Sequence, residues 1–290
     1  MSIRIIDGIG EIADGYDGFI LDLWGVLHDG MGPYPGVLDA LRRLKAAGKR
    51  LVILSNAPRR AAPVAARMAE IGIPPGLYDA VHSSGEEVWR HLKDRDEPFY
   101  AALGRRFYHI GPPRDDGVGA GLDFTRVEDV AEADFILNTG PWGWEATTEG
   151  YEDLLQAAQA RDLPMVCANA DLVVVHRGRR MFCAGALAER YEAIGGRVRW
   201  HGKPFLSVYE TCFALLGIAD RRRILAVGDS LRTDIAGAAN AGIDSLLVSS
   251  GVHAAEIGHG TGARPDPARL AATTAESGVT PTLAIAEFAW

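Results

Sequence analysis

Cysteine is scarce: three in 290 residues, Cys167, Cys183 and Cys212, widely spaced and with no CxxC pair. That argues against a disulfide framework or a thiolate metal knuckle, and for reduced thiols packed in a core. No apolar run approaches the roughly 20 residues of a membrane-spanning helix, so no membrane partner is expected. The first residues, MSIRIIDGIGEIADGY, lack the apolar stretch of a secretory leader, and a cytoplasmic location is expected. Runs of Lys or Arg are missing too, and the formal net charge is −8. A nucleic-acid partner is therefore not expected. A small anionic substrate stays open, because the charge inside a cleft differs from the net charge. Repeats and low-complexity tracts are absent. What remains is an ordinary globular balance, 48% hydrophobic and 23% charged, with chain enough for one large domain or two ordinary ones.

Short apolar runs alternate with helical patterns. FILDL (19–23) precedes a helix over 36–47, RLVILS (50–55) one over 60–71, and RRILAVGD (222–229) one over 232–241, with DSLLVSS (244–250) following. This order predicts an α/β fold, a doubly wound Rossmann-like parallel sheet covered on both faces. Ligands of such sheets sit beyond the carboxyl ends of the strands, where Asp22, Ser55, Asn56 and Asp229 fall. Over 104–197 the pattern recurs with different content: strands FYHI, ADFILN, PMVCAN and LVVVH, and helices over 149–161 and 184–194. We read 104–197 as a second α/β unit inserted into a core of 1–103 and 198–290. The stretch 253–282, rich in Gly, Ala, Thr and Pro, reads as loop with one short helix.

Four segments carry the chemistry. In FILDLWGVLHDG (19–30) a buried strand displays Asp22; alone, such an acid is as readily a turn or capping residue. SNAPRR (55–60) puts a hydroxyl and an amide at a strand end before a helix, where backbone N–H groups favour a phosphate oxygen. HGKP (201–204) sets Lys203 beside Pro204, a residue favoured in a first helical turn, with the helix ending at Gly217. GDSLRTD (228–234) places Asp229 and Asp234 five apart across a turn into a helix. Hard oxygen ligands of this kind suit Mg²⁺.

In this order the four segments resemble the motifs of the haloacid dehalogenase (HAD) superfamily. The form is that of its class IIA hydrolases: p-nitrophenyl phosphatase-like, nucleotide- and sugar-phosphate, and pyridoxal phosphate phosphatases. The marks are the asparagine after Ser55, the GKP around Lys203 and the GDxxxTD form of the last segment. VHSSGEEV (81–88) and AGALAERYEAIGG (184–196) look like class IIA segments as well. The resemblance implies that Asp22 is a nucleophile forming an aspartyl-phosphate. Ser55 would hydrogen-bond the phosphoryl group, and Lys203 would neutralise Asp22 and the phosphoryl oxygens. Mg²⁺ would be held by Asp22, Asp229, Asp234 (directly or through water) and the backbone carbonyl of Trp24. The inserted unit would be a cap that reads a small phosphorylated metabolite. Candidate substrate contacts are Asn56, Arg60 (or Arg59), Asn169 and Asp171, with Trp142 and Trp144 as candidates to stack on a flat group. A cap-mediated homodimer also occurs in the class.

One departure stands out. HAD phosphatases carry a second acid two residues after the nucleophile; here that residue is Trp24. General acid–base help is worth roughly 10²–10⁴-fold, and an indole N–H has no useful acidity. Three readings are open. The first is a phosphatase whose acid comes from elsewhere or not at all, with His28 and Asp29 as nearby candidates. The second is displacement at carbon, since HAD dehalogenases also have an aromatic residue there; Asp229 and Asp234 weigh against it. The third is a phosphometabolite-binding protein without turnover. GVGAG (117–121) follows a polar loop instead of a strand and reads as a turn, not as a dinucleotide site.

Overall fold

The computed structural model of the protein describes residues 3–143, 146–176, 179–258 and 264–290. In chain order its strands are β1 (Arg4–Ile6), β2 (Gly18–Leu21), β3 (Arg50–Ser55), β4 (Ala80–Ser83), β5 (Arg106–Ile110), β6 (Thr125–Val127), β7 (Phe135–Asn138), β8 (Pro164–Cys167), β9 (Val173–His176), β10 (Arg179–Phe182), β11 (Arg197–Trp200), β12 (Ile224–Gly228), β13 (Asp244–Val248) and β14 (Leu283–Ile285). Seven of them form one parallel sheet in the order β1-β14-β13-β12-β2-β3-β4.

The central strands are apolar throughout because both faces are covered. Phe19 and Leu21 of β2 and Leu51 and Ile53 of β3 point into one core. It is capped by α1 (Val37–Ala46), whose Val37, Ala40, Leu41 and Leu44 are buried, the spacing of one helical stripe. The alternate residues Ile20, Val52 and Leu54 face a second core with Val208, Tyr209 and Cys212. This alternation is the strand period of two at work. Register then fixes the site: Val227 and Ile53 both lie beside Leu21. Asp22, Ser55 and Asp229 therefore leave the sheet side by side at its carboxyl edge.

Between β4 and β12 the chain builds a five-stranded parallel sheet, β11-β8-β7-β5-β6, and an antiparallel hairpin of β9 and β10. Two boundaries differ from the sequence expectation. The five-stranded sheet runs on to Trp200, beyond 197. Helix α2 (Ala61–Glu70) leads back to β4, but α3 (Ser84–Asp94) and α4 (Pro98–Ala102), which follow β4, do not turn back to the seven-stranded sheet. Val88, Leu92, Tyr100 and Leu103 pack on Phe135, Leu137 and Val166 of the inserted sheet, which would otherwise leave that face bare. The chain thus departs from the core sheet at Ser83, some twenty residues before the first apolar run that signals the insertion. The other face of the inserted sheet is covered by α5 (Glu152–Ala160) and α6 (Ala184–Ala193).

Toward the C-terminus, α7 (Leu206–Leu216) ends at Gly217 in a left-handed conformation, as expected. Pro204, however, lies before its first turn and not within it. Past α8 (Ala236–Ala241) and the short α9 (Ala254–Ile257), the stretch read as loop contains α10 (Pro267–Ser277). It has complete boundary signals: Asp266 accepts from the N–H groups of Ala268 and Arg269, Pro267 opens it and Gly278 closes it. These are the caps that fix a helix in a weakly apolar sequence. The three cysteines are buried and unpaired. Among the described residues no helix is long and apolar enough to cross a membrane.

Candidate active site

The carboxyl edge of the seven-stranded sheet gathers Asp22, Ser55, Lys203, Asp229 and Asp234, each under 10% exposed. Lys203 Nζ donates to Asp22 Oδ1 at 2.5 Å and to Asp234 Oδ1 at 2.7 Å. The second Asp234 oxygen accepts from Ser230 N–H at 3.1 Å, and Asp229 Oδ2 accepts from Val252 N–H at 2.8 Å. Oxygens of Asp22, Asp229 and Asp234 lie within 4.8 Å of one another. Asp234 reaches this point because Leu231–Ile235 is wound as a π-helix opened by the Ser230 cap; such turns are frequent at functional sites.

Three carboxylates and one ammonium leave this buried cluster with an excess of negative charge. Burial pushes the Asp22 carboxyl up to about 7, Lys203 pulling against it and the Asp234 charge adding to it. Burial, with Asp22 and Asp234 beside it, pushes Asp229 well up. Burial opposes the charge on Lys203, but Asp22, Asp234 and Asp171 outweigh it and hold the ammonium well above its ordinary range. A divalent cation fits this donor set: hard oxygens, close enough to share one ion, and short of positive charge. The backbone is cut to match. An added Cβ on Gly25 or on Gly251 would lie 2.1 Å from Asp229 Oδ2, and Gly25 has φ +84°. Position 25 therefore takes glycine for both conformation and space.

The remaining candidates separate. Asn56 is a clasp: its Oδ1 accepts from Lys203 N–H at 2.7 Å and its Nδ2 donates to Lys203 C=O at 3.2 Å and to Asp171 Oδ1 at 2.9 Å. It thereby locks the lysine loop and ties it to the inserted unit. Asn169 shapes that unit's loop, its Oδ1 accepting from Asp171 N–H at 2.8 Å. Ser55 Oγ accepts from Ala57 N–H at 3.2 Å. Arg60 is turned aside, in a bidentate pair with Glu86 (2.7 and 2.9 Å) and stacked on Trp89. Arg59 faces Asp115 at 3.5 Å. Trp142 stacks on Tyr151, ring centroids 4.3 Å apart; Trp144 lies outside the described residues.

The Trp24 ring stands edge-on to His28 (5.4 Å, 80°) and over Gly30, where a Cβ would lie 2.5 Å from it. His28 Nδ1 accepts from Gly30 N–H at 3.0 Å, and burial pushes its imidazole down to about 4. Asp29 accepts from the N–H groups of Met31 and Gly32, an Asx-type turn.

Two features were hidden in the sequence. Arg232, inside the GDSLRTD segment, donates to Ala170 C=O at 2.6 Å and to Glu189 at 2.9 Å, drawing the inserted unit down over the site. Beneath Lys203, buried His201 pairs through Nδ1 with Glu87 at 2.8 Å and through Nε2 with the Tyr100 hydroxyl. This braces the lysine loop against α3 and α4. Only the motif position of Arg232 hinted at a role; the pairing of His201 spans 114 residues and has no local signal.

Comparison with known proteins accords with this geometry. The family described as haloacid dehalogenase-like hydrolase matches residues 19–125, and a HAD-hydrolase-like family matches residues 200–275. A D-glycerol 3-phosphate phosphatase of Mycobacterium tuberculosis is 31% identical over 84% of the chain, which spans 66% of that relative's length. A 4-nitrophenylphosphatase of Schizosaccharomyces pombe is 28% identical, with 83% of this chain and 86% of the relative covered. Among solved structures, a haloacid dehalogenase-like hydrolase from Brucella suis is 34% identical with a TM-score of 0.83, covering 98% of this chain and all of that one.

Proposed function

The chain belongs to the haloacid dehalogenase-like hydrolases, and from that premise we propose that it hydrolyses a small phosphate monoester, with Mg²⁺, through a phosphoryl group carried on Asp22. The two curated relatives named above are both called phosphatases. The finer reading is supported above all by one observation: a buried aspartate at a strand end lies 2.5 Å from a lysine and beside two further carboxylates.

In this reading Asp22 attacks phosphorus and Ser55 holds a phosphoryl oxygen. Lys203 keeps Asp22 ionised and meets the charge that builds on the phosphoryl oxygens, an electrostatic role that is strongest in the transition state. Asp22, Asp229, the Trp24 carbonyl and Asp234 would hold Mg²⁺, which supplies charge neutralisation for the phosphate. The inserted unit, drawn down by Asn56–Asp171 and Arg232–Glu189 contacts, excludes water and reads the rest of the substrate. Sugar and nucleotide phosphates are the substrate classes to test first. Asn56 keeps a positioning role, and Arg60 would have to leave Glu86 before it could meet a second anionic group.

The test is phosphate release from p-nitrophenyl phosphate and a panel of sugar and nucleotide monophosphates, with and without Mg²⁺ and with Asp22→Asn as the blank. Turnover that requires both Mg²⁺ and Asp22 is expected. Binding of these esters without any turnover above the blank would replace this reading with a binding protein on the same scaffold.

A further inference from the structure

A phosphatase reaction at Asp22 leaves one role unfilled, the proton for the departing oxygen. The groups near Trp24 do not supply it. His28 is buried and neutral at neutral pH, with Nδ1 already accepting from Gly30 N–H. Asp29 accepts from the N–H groups of Met31 and Gly32, which hold it below the usual carboxylate range against the opposing effect of burial. Asp22, Asp229 and Asp234 are committed to the nucleophile and the cation.

Among the described residues, a carboxyl of the inserted unit lies close enough for its charge to act on Asp22 and Lys203. Asp171 lies in the loop between β8 and β9, and Asn56 Nδ2 donates to its Oδ1 at 2.9 Å. The same Asn56 grips the backbone of Lys203, so Asp171 is one side chain removed from the catalytic lysine. Its loop is fixed on three sides. Asp171 N–H donates to Asn169 Oδ1 at 2.8 Å, Gly185 N–H donates to Asp171 C=O at 3.1 Å, and Arg232 holds Ala170 C=O. An added Cβ on Gly185 would lie 2.5 Å from Asp171 O, so α6 backs the loop without slack. A carboxyl whose Oδ1 is gripped by Asn56 and whose backbone is immobilised is fixed in place, as a general acid must be.

We propose that Asp171 is the general acid–base of this enzyme, delivering from the inserted unit the proton that other members draw from the position held here by Trp24. The proposal rests on the phosphatase reading. In the first step Asp22 Oδ bonds to phosphorus, the phosphorus–oxygen bond to the leaving group breaks, and Asp171 passes its proton to that oxygen to give the alcohol. In the second, the Asp171 carboxylate takes a proton from water as the water oxygen bonds to phosphorus. The bond to Asp22 breaks, and phosphate, the Asp22 carboxylate and the Asp171 acid result. The groups facing Asp171 agree with a proton held there. Burial raises its pKa, Lys203, the Asn56 hydrogen bond and Arg232 oppose that, Asp234 adds to it, and the net direction is up. Asp22 and the thiols of Cys167 and Cys183 also feel its charge, and both thiols stay protonated because burial pushes them up.

The experiment compares kcat/KM of the wild type and Asp171→Asn on p-nitrophenyl phosphate and on glycerol 3-phosphate, across pH. Asparagine keeps an oxygen acceptor for Asn56. The parameter reports steps through release of the leaving group, where p-nitrophenolate needs no proton and an alkoxide does. We expect a loss of about 10²–10⁴-fold on glycerol 3-phosphate and less than about fivefold on p-nitrophenyl phosphate. The fall in the glycerol 3-phosphate rate at high pH should vanish in the variant. Equal losses on both esters in a variant whose urea midpoint matches the wild type, or no loss on either, would overturn the proposal. A wild type inert with Mg²⁺ on p-nitrophenyl phosphate, on glycerol 3-phosphate and on the sugar and nucleotide monophosphate panel would instead refute the phosphatase reading, before any variant is made.

Discussion

Replacing Lys203 by Met would leave Asp22, Asp229 and Asp234 buried with no ammonium between them. Lys203 bridges two of these at 2.5 and 2.7 Å and is 3% exposed. Removing one partner of a buried ion pair costs about 3–5 kcal/mol, because the charge left behind is uncompensated. The cost should depend on pH with a definite sign. Without the ammonium the folded carboxyls hold protons more strongly than the unfolded ones, so the folded state binds more protons and gains stability as pH falls. The deficit relative to wild type should therefore be largest above pH 7, the level to which burial already pushes Asp22. It should shrink toward pH 4, as the carboxyls protonate. Mg²⁺ should recover part of it. Urea denaturation of both proteins at several pH values measures the difference directly, and taking the difference cancels contributions from groups elsewhere. Turnover should fall by at least about 10²–10³-fold, as for loss of a single transition-state donor. A deficit under about 1 kcal/mol that does not change with pH would refute the charge balance argued for this cluster.

Gly25→Ala places a methyl 2.1 Å from Asp229 Oδ2 at a φ of +84°. The Mg²⁺ concentration for half-maximal activity should rise at least about tenfold, and an unchanged Mg²⁺ titration would contradict the placement of the Trp24 carbonyl. Asn56→Ala removes both contacts to the Lys203 backbone and the tie to Asp171. It should cost about 2–4 kcal/mol in denaturation and lower kcat, since buried partners are left unsatisfied. His28 is held neutral, its folded pKa near 4 lying below the ordinary value of 6.5. Its contribution is fully present above pH 6.5 and is lost as pH falls toward 4, by at most about 3 kcal/mol. His28→Asn should flatten that window and keep activity at pH 7 within about threefold; a loss of about 10²-fold would make His28 the proton carrier.

The site was legible where chemistry and chain are local. Asp22, Ser55, Lys203 and Asp229 each close a short apolar run or a short motif, and parallel register brings strand ends together without further information. The departure from the family pattern at Trp24 was legible for the same reason. Partners far apart in sequence were not legible. Arg60 looked available from its place at a helix start, and only the fold shows Glu86 and Trp89 occupying it. Asn56 looked like a ligand contact, yet its neighbours lie 115 and 147 residues away. Which sheet α3 and α4 pack on was not legible either. An amphipathic helix records that one face is buried, not which of two sheets buries it.

The most direct measurement is a rapid acid quench of the enzyme with Mg²⁺ and p-nitrophenyl phosphate, followed by peptide mass spectrometry. A transient phosphoryl group on Asp22 is expected, in the peptide containing FILDLWGVLHDG, and absent from Asp22→Asn. Product formation with no phosphoryl group on Asp22 at any quench time, or with Asp22→Asn as active as wild type, would contradict it.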